Sequence, residues 1–146
     1  MEQIDYIANL VTIIGLPLGI ITLVIGILSI QQSKRIEQGK FLIELRNMFP
    51  MHNEVHFKLS PKGEWQTGKI PKDNETWAKI DAYLGLFELC EILIQNETLT
   101  ETHFIDQYKY RLENILRNEQ IRTEKLVNEK PYWKTLLQLK ERMKIK

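Results

Sequence analysis

From Tyr6 to Ser33 the chain contains no Asp, Glu, Lys, Arg or His, although charged residues make up 27% of its 146 residues. All 20 Lys and Arg and 17 of the 19 acidic residues are concentrated outside the front of the chain, from Lys34 onward. So uneven a distribution argues against an ordinary soluble monomer. A single cysteine, Cys90, excludes a disulfide framework and fits a reducing compartment. The signatures of common catalytic sites are also missing: there is no G-x-S-x-G, no H-E-x-x-H, and no carboxylate pair set apart from helix-surface charge. The expectation is a protein that is not an enzyme and needs no cofactor or metal.

Ile7 to Ile30 is a run of 24 residues. As a helix it would measure roughly 36 Å, enough to cross a hydrocarbon core of about 30 Å, so an N-terminal transmembrane helix is expected. The residues before it carry Glu2 and Asp5 and no Lys or Arg, unlike a cleaved signal peptide. Lys34, Arg35 and Lys40 follow it directly, which by the positive-inside rule places the N-terminus outside and the remainder in the cytoplasm. Within the run, Ala8, Thr12, Gly15, Gly19, Thr22, Gly26 and Ser29 recur at alternating spacings of 4 and 3. That is a seam of small residues on one helix face, and in lipid such a face lets backbones approach closely. Self-association is one reading; a lone anchor whose small residues happen to align is the other.

The domains expected are 1–33 for the membrane helix and 34–146 for a small, mostly helical cytoplasmic domain. Gln31 to Phe49 continues the helix as a stalk that stops ahead of Pro50. Val55, Phe57 and Leu59 alternate with His56 and Lys58 ahead of Ser60-Pro61-Lys62-Gly63, which reads as a β-hairpin over His52 to Lys72. An apolar helix is expected over Glu75–Gln95, capped by Asp73 or Asn74. Another starts at Thr98 or Thr100, where Thr98 with Glu101 makes a capping box. A shorter run covers Ile121–Val127, and a last helix begins at Pro131. The fold class is mainly α with one hairpin.

Gly63-Glu64-Trp65-Gln66-Thr67-Gly68-Lys69 matches the start of a phosphate-binding loop, but Ile70 and Pro71 stand where a Ser or Thr and a helix are required. His52 and His56 have no second pair of ligands nearby and read as a surface pair, and Cys90, among Leu89, Ile92 and Leu93, reads as a buried thiol. Trp77 and Trp133 read as core. Trp65 lies between Lys62 and Lys69 in a polar segment, the composition that stacks a base and neutralises a phosphate. Packing of the hairpin against the helices explains the same ring. The candidate ligand-binding residues are Lys58, Lys62, Trp65 and Lys69, with His56 beside them. Arg111, Arg117 and Arg122, near Tyr108, form the alternative set.

This layout, one membrane helix joined to a small helical domain without a catalytic motif, resembles small CRISPR-associated membrane effectors of antiviral defence that are activated by cyclic oligoadenylate. The resemblance rests on the small-residue seam and the basic hairpin. It implies a tetrameric homo-oligomer in the bacterial inner membrane whose cytoplasmic domain binds cyclic tetra-adenylate and opens or disrupts the bilayer. It implies no DNA partner. The competing expectation is a membrane-anchored interaction or regulatory subunit with no nucleotide ligand.

Overall fold

The computed structural model describes residues 25, 26 and 28–145, which fall into two compact units dividing between Phe41 and Leu42. In the first unit the described residues are helical and nearly all exposed. Gly26 and Ser29 belong to the seam; both are exposed, and a Cβ built on Gly26 would meet nothing within 4 Å. Thr12, Gly15, Gly19 and Thr22 lie outside the described residues.

The expected fold class is corrected on two points. Among the described residues no helix is long and apolar enough to cross a membrane, and most of Ile7–Ile30 lies outside them. The hairpin is replaced by a helix and a loop, and no strand occurs among the described residues.

The second unit begins with helical residues 42–48 (α1) and a 3-10 turn, Phe49–His52, that carries Pro50. There follow α2 (Asn53–Leu59), α3 (Asn74–Gln95), α4 (Glu101–Gln107), α5 (Lys109–Arg117) and α6 (Glu119–Ile121). A π-helix, Arg122–Asn128, a 3-10 turn, Lys130–Tyr132, and α7 (Lys134–Arg142) complete it. Burial shows why 53–59 is helical. Val55, His56 and Leu59 are buried while Phe57 is exposed, which is the i, i+1, i+4 pattern of a helix face and not the alternation of a strand.

The central element is α3. Its N-cap, Asp73, accepts from the Thr76 amide at 2.7 Å, which occupies one of the donors every helix start leaves open. Ile80, Tyr83, Leu84, Leu86, Phe87, Cys90 and Leu93 are buried along one broad face of it, the face that packs on the rest of the unit. The Cys90 thiol is buried among them, and burial pushes its pKa up to about 12, so it is inert as a nucleophile at neutral pH. Phe49 stacks on Tyr108 at 4.1 Å and meets Phe87 edge-on at 5.5 Å, locking the Phe49–His52 turn to the core.

The end of α3 differs from the expected capping box. Glu97 takes a left-handed φ of 57°, and Thr98 and Leu99 both donate to Leu93 O. Leu99 is buried, so the chain reaches the next helix only after it. Thr100 therefore caps α4, accepting from His103 N at 3.1 Å.

Glu91 of α3 is fully buried and receives two Arg142 nitrogens, Nε at 3.0 Å and Nη2 at 2.8 Å. Arg142 also reaches Glu101 Oε1 at 2.9 Å, tying α7 to α3 and to the start of α4. A carboxylate without access to water needs such a partner. Arg142→Ala should lower the melting temperature by much more than Glu101→Ala, because only the former strands the buried charge. Equal shifts in a thermal unfolding experiment would show that Glu91 does not depend on Arg142.

Candidate functional site

The segment expected to be a hairpin is an irregular loop fixed at both ends. Trp65 N donates to Lys58 O at 2.8 Å and Gly63 N to Ser60 O at 2.8 Å, folding the loop back onto the end of α2. Lys62 sits at a left-handed φ of 76°. A Cβ on Gly63 would collide with the carbonyls of Phe57 and Lys58, and one on Gly68 with that of Glu64, so both positions require glycine. Farther on, Asn118 Nδ2 donates to Trp65 O at 2.6 Å, and Gln120 Oε1 accepts from Ile70 N at 3.1 Å. Asn118 is buried and also caps α6, accepting from Ile121 N at 2.9 Å.

This stapling leaves a cleft of about 770 Å³ between the loop and the 117–124 segment. Its cations are Lys69, Lys72 and Arg117, and its carboxylates are Glu119 and Glu124. None of the three cations makes an ion pair or a side-chain hydrogen bond with a described residue. Arg117 also lines a neighbouring hollow with Arg122 and Lys144, which extends the basic surface.

On the other side the cleft shares Lys72, Gln120 and Glu124 with a hollow of about 470 Å³ that holds Trp77, Asp81, Lys125 and Glu129. Trp77, expected in the core, is partly buried there. Lys125, on the π-helix, is buried with its ammonium 2.8 Å from both Asp81 and Glu129, and it lies 5.1 Å from the Trp77 ring and 5.9 Å from that of Trp133. Burial alone would depress its pKa, but hydrogen bonds and charge from the two carboxylates raise it overall. Lys125 holds Glu129 below the ordinary carboxylate range. Glu129 therefore contributes stability above its unfolded pKa, and that contribution is lost as pH falls through the lowered folded value. The extra residue per turn of a π-helix is uncommon and concentrates at functional sites.

The structure does not bring the whole expected ligand set together. Lys69 lines the cleft and Lys62 is exposed on the turn. Trp65 is buried, and the Lys58 ammonium lies 4.5 Å from its ring centroid while pairing with Glu54 at 3.3 Å and Glu64 at 3.6 Å. His56 is buried against Tyr83 and Tyr110. Of the alternative set, Arg117 and Arg122 share a hollow, whereas Arg111 bonds to Asn53 and Tyr110. Lys72 lies in the basic segment around Trp65 but outside the expected ligand set, and Trp77 is absent from that set because an aromatic on an apolar helix reads as core.

No family model, no curated protein and no solved structure matches the chain. No His, Cys, Asp and Glu cluster among the described residues is suited to a metal ion.

Asn118→Ala removes both the loop staple and the α6 cap, and should cost about 2–4 kcal/mol of unfolding free energy. Asn118→Ser keeps a neutral cap oxygen but loses the donor to Trp65 O, and should cost clearly less. Chemical denaturation of both variants measures this; equal losses would mean that the cap contributes nothing and that the loop staple carries the whole effect.

Proposed function

We propose that this chain is a membrane-associated effector whose helical unit binds a phosphate-rich ligand of the cyclic oligonucleotide class. The observation that carries the proposal is the cleft with three unpaired cations, Lys69, Lys72 and Arg117. Cations left without carboxylate partners around a concave surface favour polyanions and make affinity depend on salt. The volume suits one nucleotide unit, as small-molecule sites of roughly 300–1,000 Å³ do. Trp77 in the adjoining hollow supplies an aromatic face beside Lys72.

Symmetry supports a cyclic ligand: in a homo-oligomer each copy presents the same cations to one repeat of a cyclic anion. Membrane association rests on the sequence, in which the uncharged stretch Tyr6–Ser33 is followed by Lys34, Arg35 and Lys40, placed to meet anionic headgroups. In this reading, ligand binding to the helical unit alters the oligomer and, through it, the bilayer.

Titration calorimetry of the full-length protein in detergent, with cyclic tetra-adenylate at several salt concentrations, tests the proposal. Lys69→Ala and Arg117→Ala should each weaken binding and reduce the slope of log affinity against log salt by about 1. Trp65→Ala should lower the melting temperature, since its ring is buried and not offered to a base. No binding at high ligand concentration would sink the nucleotide reading and leave an interaction or regulatory subunit.

A further inference from the structure

A second group of polar side chains takes no part in the cleft. Arg111, on α5, donates from Nη1 to Asn53 Oδ1 at 3.2 Å and from Nε to Tyr110 Oη at 3.0 Å. No described carboxylate lies within ion-pair distance of it. A partly buried guanidinium held by two neutral oxygens lacks the counter-charge that such groups normally find.

Around it stand two buried polar atoms with no hydrogen-bond partner, Tyr83 Oη and His56 Nδ1. Tyr83 is 0% exposed and His56 is 6% exposed. Arg111 also approaches Tyr83 Oη, acting on it first through a loose hydrogen bond and then through its charge, but the contact is too poorly aligned to satisfy the phenol. Buried polar atoms are rarely left orphaned, so a water, an ion or a ligand group is expected to meet them. The His56 ring is 5.6 Å from that of Tyr110 and 6.4 Å from that of Tyr83, while His52 stacks on Tyr83 at 5.2 Å.

The chemistry of the set selects the ligand. Arg111 can only donate. Burial pushes the Tyr83 phenol up to about 12, so at neutral pH it keeps its proton and also donates. His56 is held below its ordinary value by burial first and by the Arg111 charge second, and an arriving anion would reverse the second effect and let it donate as well. The only nearby side-chain oxygen that offers Arg111 an acceptor from α2 is the neutral Asn53 Oδ1.

We propose that Arg111, Tyr83 and His56 form a binding site for a phosphate monoester, whose oxygens replace Asn53 Oδ1 at the guanidinium. A dianion draws on both Arg111 and a protonated His56, whereas a monocarboxylate is neutralised by Arg111 alone. Phe57 and Tyr110, 63% and 49% exposed, meet the His56 ring and offer apolar surface to the body of the ester. The site is independent of the function proposed above, because none of these residues lines the Lys69–Arg117 cleft.

The experiment is calorimetry of the full-length protein in detergent with phenyl phosphate, with benzoate for comparison, together with the imidazole NMR signals of His56. Phenyl phosphate should bind, benzoate should bind more weakly, and the pH midpoint of the His56 signals should rise with phenyl phosphate. Arg111→Lys keeps the charge but loses the fork, and should weaken binding by about tenfold or more. A Lys69→Ala/Arg117→Ala double variant should bind phenyl phosphate as the wild type does. The proposal is overturned if phenyl phosphate gives no heat at millimolar concentration, if benzoate binds as tightly, or if affinity is lost in the cleft variant and kept in Arg111→Lys. Should Arg111→Lys fail to fold, the His56 signals of the wild-type protein decide alone: an unmoved midpoint at millimolar phenyl phosphate rejects the site.

Discussion

One buried amide, Asn118, sets where the loop can be. Its Nδ2 holds the Trp65 carbonyl at 2.6 Å while its Oδ1 holds the Ile121 amide at 2.9 Å, so one planar group joins the 60–73 loop to the start of α6. The position of Lys69 and Lys72 relative to Arg117 follows from that pair of bonds, with Gln120 adding a second tie at Ile70. An amide is suited to this task because it offers a donor and an acceptor at the two ends of one rigid planar group. The glycines at 63 and 68 serve the same end by allowing backbone to pass where any Cβ would collide. The cleft is thus fixed by backbone and amide geometry, and its exposed cations are left free of structural duty.

Much of the fold is written in the sequence and some is not. The 22-residue α3 is legible because Asp73 caps it and its apolar residues run on for several turns. The 53–59 segment is not, since Val55 and Leu59 fit both a strand face and a helix turn, and only the burial of His56 with the exposure of Phe57 separates the two. Thr98 and Thr100 are equivalent as caps until the buried Leu99 shows which of them follows the end of α3. The break between α4 and α5 at Tyr108 and the π-helix over Arg122–Asn128 carry no local signature; long-range contacts of Tyr108 with Phe49 and of Lys125 with Asp81 accompany them. The candidate site follows the same rule: Lys69 is visible through its basic context, whereas Arg117 joins it only once the 47 residues of intervening chain have folded back.

Lysines in this unit do three different jobs that composition cannot tell apart. Lys125 is an internal cation, enclosed by two carboxylates and two indoles. Lys58 covers Trp65 and pairs with acidic neighbours at its own end of the loop. Lys69 and Lys72 have no such partners among the described residues and face the cleft. Charge that is already neutralised inside the fold has little attraction left for a ligand, so the count of basic residues overstates the field that a polyanion would meet.

The Glu91–Arg142 pair has a consequence for synthesis. Its members are 51 residues apart, and at translation speeds of about 5–20 residues per second the ribosome needs about 3–10 s to make the arginine after the glutamate. During that interval α3 carries a carboxylate that its final packing would seal from water without a counter-charge. Closure of α7 over α3 therefore cannot be completed before Arg142 has been made, so the burial of Glu91 is a late event in the folding of the unit.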